Sequence, residues 1–530
     1  MTAGRGGGRA ARIAREARSP TTGMPGVTSH GGRNFEPLTE SDVARIHRAA
    51  LRVLETVGMG MLGEQPPGVK AMLEQGATLD AHGRVRIPEA LVEDALAGAC
   101  RHWTLHALDS DRALEIAPGQ THYGTAGGAV SILDFHQRHY RDTTLVDLYD
   151  AARLIDTLAN ISWCYRPLVA RDLDSLRALD VNTAYALAAG TTKPWGITFS
   201  LPQSVAPVIE LFEMARGRPG SFFAEPCCHS VQGAGVPPLQ YAYDRCLIKE
   251  AVIRAGVPLM IASAPQAGAT APAALAGTMV QVVAEALAGL VYVQAIAPGH
   301  PITFAPWPFV SDLRTGAMSG GGAEQALLMG AAAQMGHFYD LPCSVAAGMT
   351  DAKIADAQAG FEKASTNLIA GIAGAGMVHE SAGMHASLLG CALESFVIDN
   401  EMLGGIKRAV RGIEVNDETL SLQTIAEVNV EGPGHYLGHQ QTLALMQSEY
   451  HYPALSDRQA PAAWQDSGSS DILERARTVA LETLSSHYPD HLAGSLDRKI
   501  RERFDIHLAP ARMRPGSHWA KSEPTVTGST

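Results

Sequence analysis

From about residue 143 onward, short apolar runs alternate with longer stretches in which apolar residues recur every three or four positions. The runs are Ile161–Tyr165, Lys193–Phe199, Phe222–His229, Pro258–Ser263, Pro301–Ala305, Leu341–Ala347 and Gly376–His379. The periodic stretches are Asp147–Leu158, Ser175–Ala189, Ser204–Arg216, Gln240–Ala255, Ala271–Gln294, Gly322–Tyr339, Ile354–Ala373 and Glu394–Arg411. Continuous apolar runs predict strands buried on both faces, and the periodic stretches predict helices. Seven or eight strand–helix units at roughly 35-residue spacing point to a parallel sheet with helical crossovers, and favour a (β/α)8 barrel over an open sheet.

The flanks read differently. Thr39 and Asp42 form a variant capping box at the start of a helix whose apolar residues run from Val43 to Leu54. Helices at Gly68–Glu74 and Glu89–Ala99, strands at Arg84–Pro88 and Trp103–Ala107, and a strand with a Gly-rich turn at His122–Gly128 complete an N-terminal α/β region over 34–142. The barrel takes 143–415, and a helical region 416–508. Residues 1–33, with six scattered arginines, and 509–530, rich in Pro, Gly, Ser and Thr, read as disordered tails.

Composition narrows the function classes. A net charge of −12 over 530 residues argues against general nucleic-acid binding, which needs clustered Lys and Arg. Seven scattered cysteines are not a disulfide framework, so a cytoplasmic setting is expected. No apolar h-region follows the N-terminal arginines. The longest apolar run, Val282–Ile296, is interrupted by Glu285 and Gln294, so no membrane span is expected. No G-x-G-x-x-G opens a unit and no P-loop occurs, so no bound nucleotide is expected. Cys227 and Cys228 are adjacent and would face opposite sides of a strand, so no metal site is expected there either.

The chemistry concentrates where strands end. Ser344–Glu362 reads strand, turn, helix, with Met349, Asp351 and Lys353 in the turn, the position at which catalytic loops of α/β proteins collect. The same spacing also suits a helix N-terminus carrying solvated charges. Tyr165, Trp195, His229, Trp307 and the pair His379–Glu380 fall at or near strand ends. Aromatic faces with a carboxylate suit an ammonium cation, because the ring quadrupole attracts the charge; the plainer reading is that these rings pack the barrel. Glu324 heads a helix after three glycines and is a candidate counter-charge. Lys353 is a candidate Schiff-base lysine if it is desolvated, although Asp351 and Asp356 nearby favour an ion-paired lysine.

Several stretches resemble the trimethylamine methyltransferase family, the MttB-type corrinoid-dependent methyltransferases. These are Ala267–Pro272 with Leu275–Gly277, Ala284–Gly289, Glu324 in its Gly-rich helix start, Asp351–Lys353 with Asp356–Lys363, Val397–Glu401 and Gly434–His439. The resemblance spans about 35 to 508. It implies a (β/α)8 enzyme that moves a methyl group from a methylated amine to the Co(I) corrinoid (cobalamin) of a partner protein. Trimethylamine-specific members carry pyrrolysine just before the Ser/Thr-Asp-x-Lys motif, where this chain has Met349 before Thr350-Asp351-Ala352-Lys353. The resemblance is therefore to the non-pyrrolysine branch, whose substrates include quaternary amines such as glycine betaine. Glu324, Asp351, Lys353 and His379 are the expected catalytic residues. Trp307, Met349, Tyr165, Trp195 and His229 are the expected substrate-binding residues. A homo-oligomer is expected. The competing readings are a Schiff-base lyase or aldolase using Lys353, and a non-catalytic binder of methylated amines.

Overall fold

The computed structural model describes residues 27–28, 35–125, 127–516 and 519. Eight strands and eight helices alternate through its centre. In order they are β1 (Gln120–Thr125), α1 (Leu145–Asp156), β2 (Cys164–Tyr165), α2 (Leu176–Gly190), β3 (Trp195–Ile197), α3 (Val205–Arg216), β4 (Cys228–Gly233) and α4 (Tyr243–Arg254). The series continues with β5 (Leu259–Ser263), α5 (Leu275–Ile296), β6 (Ile302–Pro306), α6 (Ala323–Phe338), β7 (Ser344–Ala346), α7 (Ala357–Ile372), β8 (Met377–Ala382) and α8 (Leu393–Arg411).

Every neighbouring pair is parallel. β2, β3, β4, β5 and β6 form one sheet, and β7, β8 and β1 another. Single parallel bridges join the two sheets at both seams, Gly124 to Trp163 and Phe304 to Cys343. The pairings thus run once around and return to their start. The first strand of this ring lies ahead of residue 143, within the stretch the sequence assigns to the N-terminal region. Its alternation is broken by Gly124, and the flanking strands are short hairpin pieces, so its membership shows only in its pairing with β8 and its bridge to Trp163.

The flanking regions wrap the ring. Helices Glu40–Thr56, Pro67–Glu74 and Glu89–Gly98 all pack on α5. Thr39 caps the first, its hydroxyl accepting from the Asp42 amide at 3.2 Å. α5 is long and apolar enough to cross a membrane, but it is the core helix of this fold. Its Glu285 is fully buried, accepting from the Ser263 hydroxyl and from the Leu239 amide. The C-terminal helix Ile472–Ser486 lies on α8 and α1, and Gly494–Arg503 lies on α3.

Both tails depart from the disorder expected of them. Val27–Thr28 pairs antiparallel with Thr121 and Gln120. Pro510–Met513 forms a 3-10 turn, and Trp519 is buried. The Trp519 ring meets Phe135 at 5.3 Å, and its indole N–H donates to Asp150 at 2.7 Å. A large amphipathic side chain with a partner for its polar end outweighs the local composition. Residues 1–26, 29–33, 517–518 and 520–530 of the tails lie outside the described residues.

Residues 413–447, between α8 and the last helices, stand apart. Among the described residues, every hydrogen bond and ion pair they make runs within 413–449. Ile413, Val415, Leu422, Val430, Leu437 and Leu443 are 59–84% exposed.

Candidate functional site

Rings from three strands, β2, β4 and β8, and from positions just before β2 and just after β6 meet inside the barrel. Tyr165 closes β2, and the row Tyr165, Gly196, His229 is in register across β2, β3 and β4. Gly196 is the small member of that row because a Cβ there would strike the Tyr165 ring. His379, on β8, lies at the centre. Its ring centroid is 5.0 Å from Tyr165, 5.3 Å from Trp163, 5.4 Å from Trp307 and 5.5 Å from His229. Rings this close fill the space between themselves. They make a buried aromatic floor rather than an open cage.

The two histidines are neutral. Burial pushes His229 down to about 3; burial and then its neighbour His229 hold His379 well below the usual imidazole range. Their Nε2 atoms are 3.4 Å apart, a distance at which one neutral ring can donate to the other when its proton sits on Nε2. Among the described residues, both Nδ1 atoms are buried without a hydrogen-bond partner. Trp307 is fixed by its indole N–H, which donates to the Ser344 carbonyl at 3.2 Å.

Glu380 follows His379 on the same strand. Successive strand residues normally face opposite sides. Here the pairing of β8 with β1 shifts register between Val378 and Ala382, and Glu380 takes φ = 67°. This bulge turns two consecutive side chains inward, a device common beside active sites. The Glu380 side chain is buried and accepts one hydrogen bond, from the Gly127 amide at 3.1 Å. A Cβ on Gly127 would lie 2.8 Å from the Tyr165 ring and 3.6 Å from Glu380 Oε1, so carboxyl and ring flank one glycine. Burial, opposed by the Gly127 N–H, pushes the carboxyl up to about 8. No alternation pattern in the sequence signals this placement.

The turn after β7 is a clasp. Asp351 accepts from Gly320 N at 2.7 Å, Ser319 Oγ at 2.8 Å and Ser387 Oγ at 2.6 Å, tying together the loops after β6, β7 and β8. Glu362 accepts from Thr350 Oγ1, from the Asp351 amide at 2.8 Å and from Gln358 at 2.9 Å. Met349 is fully buried beside Gly320.

Of the residues singled out in the sequence, Tyr165, His229, Trp307 and His379 come together. Asp351 and Met349 sit in the clasp. Lys353 is exposed, and its ammonium donates to the Asp351 carbonyl at 2.6 Å; it has none of the desolvation a Schiff-base lysine needs. Glu324 is exposed in the first turn of α6. Trp195 points out of the barrel, stacked on Phe212 of α3 at 4.6 Å, because Gly196 takes the inward position on β3. Trp163 and Glu380 belong to the cluster although neither is among the expected site residues.

A ring of parallel βα units with an aromatic floor and a buried carboxyl at its strand ends defines an α/β enzyme suited to a small organic cation. The profile of the trimethylamine methyltransferase (MTTB) family matches residues 5–507, and the chain belongs to that family, a family of methyltransferases. It is 29% identical over 471 residues to the trimethylamine methyltransferase MttB of Methanosarcina thermophila, covering 88% of this chain and 96% of that one. It is 28% identical over 470 residues to a glycine betaine methyltransferase of Desulfitobacterium hafniense, covering 88% and 96%. A solved monomethylamine methyltransferase of Methanosarcina barkeri is similar at 12% identity and a TM-score of 0.47, covering 85% and 95%.

Proposed function

We propose that the enzyme takes a methyl group from a quaternary methylated amine, of the betaine type, and passes it to the Co(I) corrinoid of a separate carrier protein. The observation that carries the quaternary reading is the aromatic floor of Tyr165, Trp163, Trp307 and His379 with the Glu380 carboxyl at its edge. Rings and a carboxyl hold a cation without needing an N–H on it. A quaternary ammonium leaves as a neutral amine, so its displacement needs positioning and exclusion of water, not a general acid. Met349 in place of pyrrolysine supports the same reading. The Co(I) centre supplies the nucleophile; this chain orients the N–CH3 bond toward the mouth. Tyr165, Trp307, His229 and His379 are the substrate-contacting residues, and Asp351 positions the loops around them. The seven cysteines are all free, which supports a reducing, cytoplasmic setting.

The decisive assay mixes the protein with Co(I) cobalamin and, separately, glycine betaine, carnitine, proline betaine, choline and trimethylamine. The expected outcome is formation of methyl-Co(III), read by absorbance, with one quaternary amine and none with trimethylamine. Turnover of trimethylamine alone would overturn the quaternary assignment.

The expected homo-oligomer is supported by the 413–447 stretch. Its six most prominent apolar side chains expose on the order of 800 Å², about what each partner contributes to a standard interface and more than lone proteins usually leave bare. It begins where α8 ends, about 28 Å along that helix from the barrel mouth. A carrier presenting its corrinoid to the mouth would not cover it, and a second copy of the chain would.

A further inference from the structure

Three features of Glu380 go unused by a purely packed barrel. Its backbone is held in the left-handed region, which costs a non-glycine residue on the order of 1 kcal/mol. Its carboxyl is buried with a single donor, the Gly127 amide, on Oε2, and among the described residues Oε1 has no protein partner. It also lies at the carboxyl end of a barrel strand, beside the aromatic floor. Strain kept at such a place marks function when the surroundings enforce it, and here the bulge does.

The groups around the carboxyl are known. Tyr165 and Arg166 face it from β2 and its end, His379 precedes it on β8, His229 lies behind on β4, and the Gly127 N–H meets it from the loop after β1. Burial keeps both histidines neutral, and Tyr165 is pushed up to about 12 by burial, so of these groups Arg166 alone carries a positive charge. Among the described residues no cation forms an ion pair with Glu380, and the Arg166 Nε is itself without a hydrogen-bond partner.

We propose that Glu380 carries a proton while the site is empty and gives it to water when a quaternary ammonium enters, so that substrate is taken up by exchange of a cation for a proton. This rests on the reading that the site accepts a quaternary amine. The exchange balances: a neutral carboxylic acid and a free tetraalkylammonium become a carboxylate–ammonium pair and a hydrated proton. Loss of the methyl group turns the bound cation into a neutral tertiary amine. The proton that left on uptake returns from solvent to this carboxylate–amine pair, first to the amine nitrogen because a tertiary aliphatic amine is the more basic of the two, and the site regains the charge it had before substrate entered. The ordinary carboxyl value near 4 is too low for this exchange at neutral pH, whereas burial places that of Glu380 at about 8.

The test is calorimetric titration of the full-length protein with glycine betaine and with tetramethylammonium at pH 7, in phosphate and in Tris. The difference in apparent enthalpy between the two buffers counts protons. The expected result is release of close to one proton per cation bound, with affinity falling about tenfold per pH unit below 8. Glu380→Gln is expected to bind more weakly, with no proton release and a flat pH dependence. Binding by the natural protein without proton release, or an unchanged pH dependence in Glu380→Gln, overturns the exchange and leaves the quaternary-amine reading standing. Absence of binding by either cation, and by carnitine and choline, overturns both.

Discussion

Gly196 has no room for even a methyl group, since a Cβ would run into the Tyr165 ring and lie 2.8 Å from His229 Cε1. Gly196→Ala should therefore displace two members of the floor at once. Overpacking of this kind costs about 1–3 kcal/mol, so the melting temperature should drop by a few degrees while methyl transfer falls far more. A thermal melt beside the cobalamin assay would separate the two effects; an unchanged rate would show that the Tyr165–His229 geometry is not part of the site. At this scale the sequence was partly legible. Tyr165, His229, Trp307 and His379 are recoverable because aromatic and imidazole side chains at strand ends stand out among apolar neighbours. Trp195 is misleading for a geometric reason: on a strand of three residues the inward phase is set by register, and the glycine beside it takes that phase. Glu380 is legible only as the neighbour of His379 near a strand end; that its side chain also turns inward is not, because a bulge suspends alternation and nothing in the residue types announces one.

Among the elements, α7 and α8 are joined by a buried ion pair, Lys363 Nζ to Asp399 Oδ2 at 2.7 Å, and Asp399 also accepts from the Gly383 amide just after β8. Lys363→Met would strand the carboxylate. Breaking such a pair from one side costs about 3–5 kcal/mol, which denaturant unfolding would read directly, and a loss below 1 kcal/mol would show that Asp399 is compensated elsewhere. A second junction fastens the C-terminal helix to the ring. Burial alone would raise the Asp156 carboxyl, but His487, Arg112 and the Thr191 and Thr192 donors hold it far below its usual range. A carboxyl depressed in the folded state adds stability that is complete above its unfolded value near 4 and is lost as pH falls below that. The unfolding midpoint should therefore drop between pH 4 and 2, and Asp156→Asn should begin lower and show a flatter profile. Equal slopes for the two proteins would remove Asp156 from the account. Most helices and strands were legible to within a few residues, because buried parallel strands and amphipathic helices have distinct periods; β4 is the exception, since the apolar run at 222–229 meets it only at Cys228 and His229 and the residues before them form a turn. The start of the ring was not legible, since β1 is recognisable only by what it pairs with.

For the whole molecule, the exposed apolar stretch at 413–447 sets the expected assembly. It carries five carboxylates and no lysine or arginine, so like charges oppose the pairing that its apolar side chains favour. Salt screens that repulsion. Sedimentation should show association that strengthens with added salt and is abolished in the triple variant Leu422→Asp, Val430→Asp, Leu437→Asp, with the circular dichroism of the barrel unchanged. A natural chain that stays monomeric at micromolar concentration would leave this surface without a role in self-assembly.

The ring also has an order in time. β1 ends at residue 125, and its partner β8 begins at 377. A ribosome adding 5–20 residues per second needs roughly 12 to 50 s to make the chain between them. Throughout that interval β1 has no neighbour on that side, and the growing sheet keeps an open parallel edge of the kind that recruits other strands. The short antiparallel strand at Val27–Thr28, already made by then, meets only the first two residues of β1. Long separations between contacting strands also slow closure itself. Yield on expression should therefore depend more on how quickly β8 is delivered, and on chaperones that hold the open edge, than on the stability of the finished barrel.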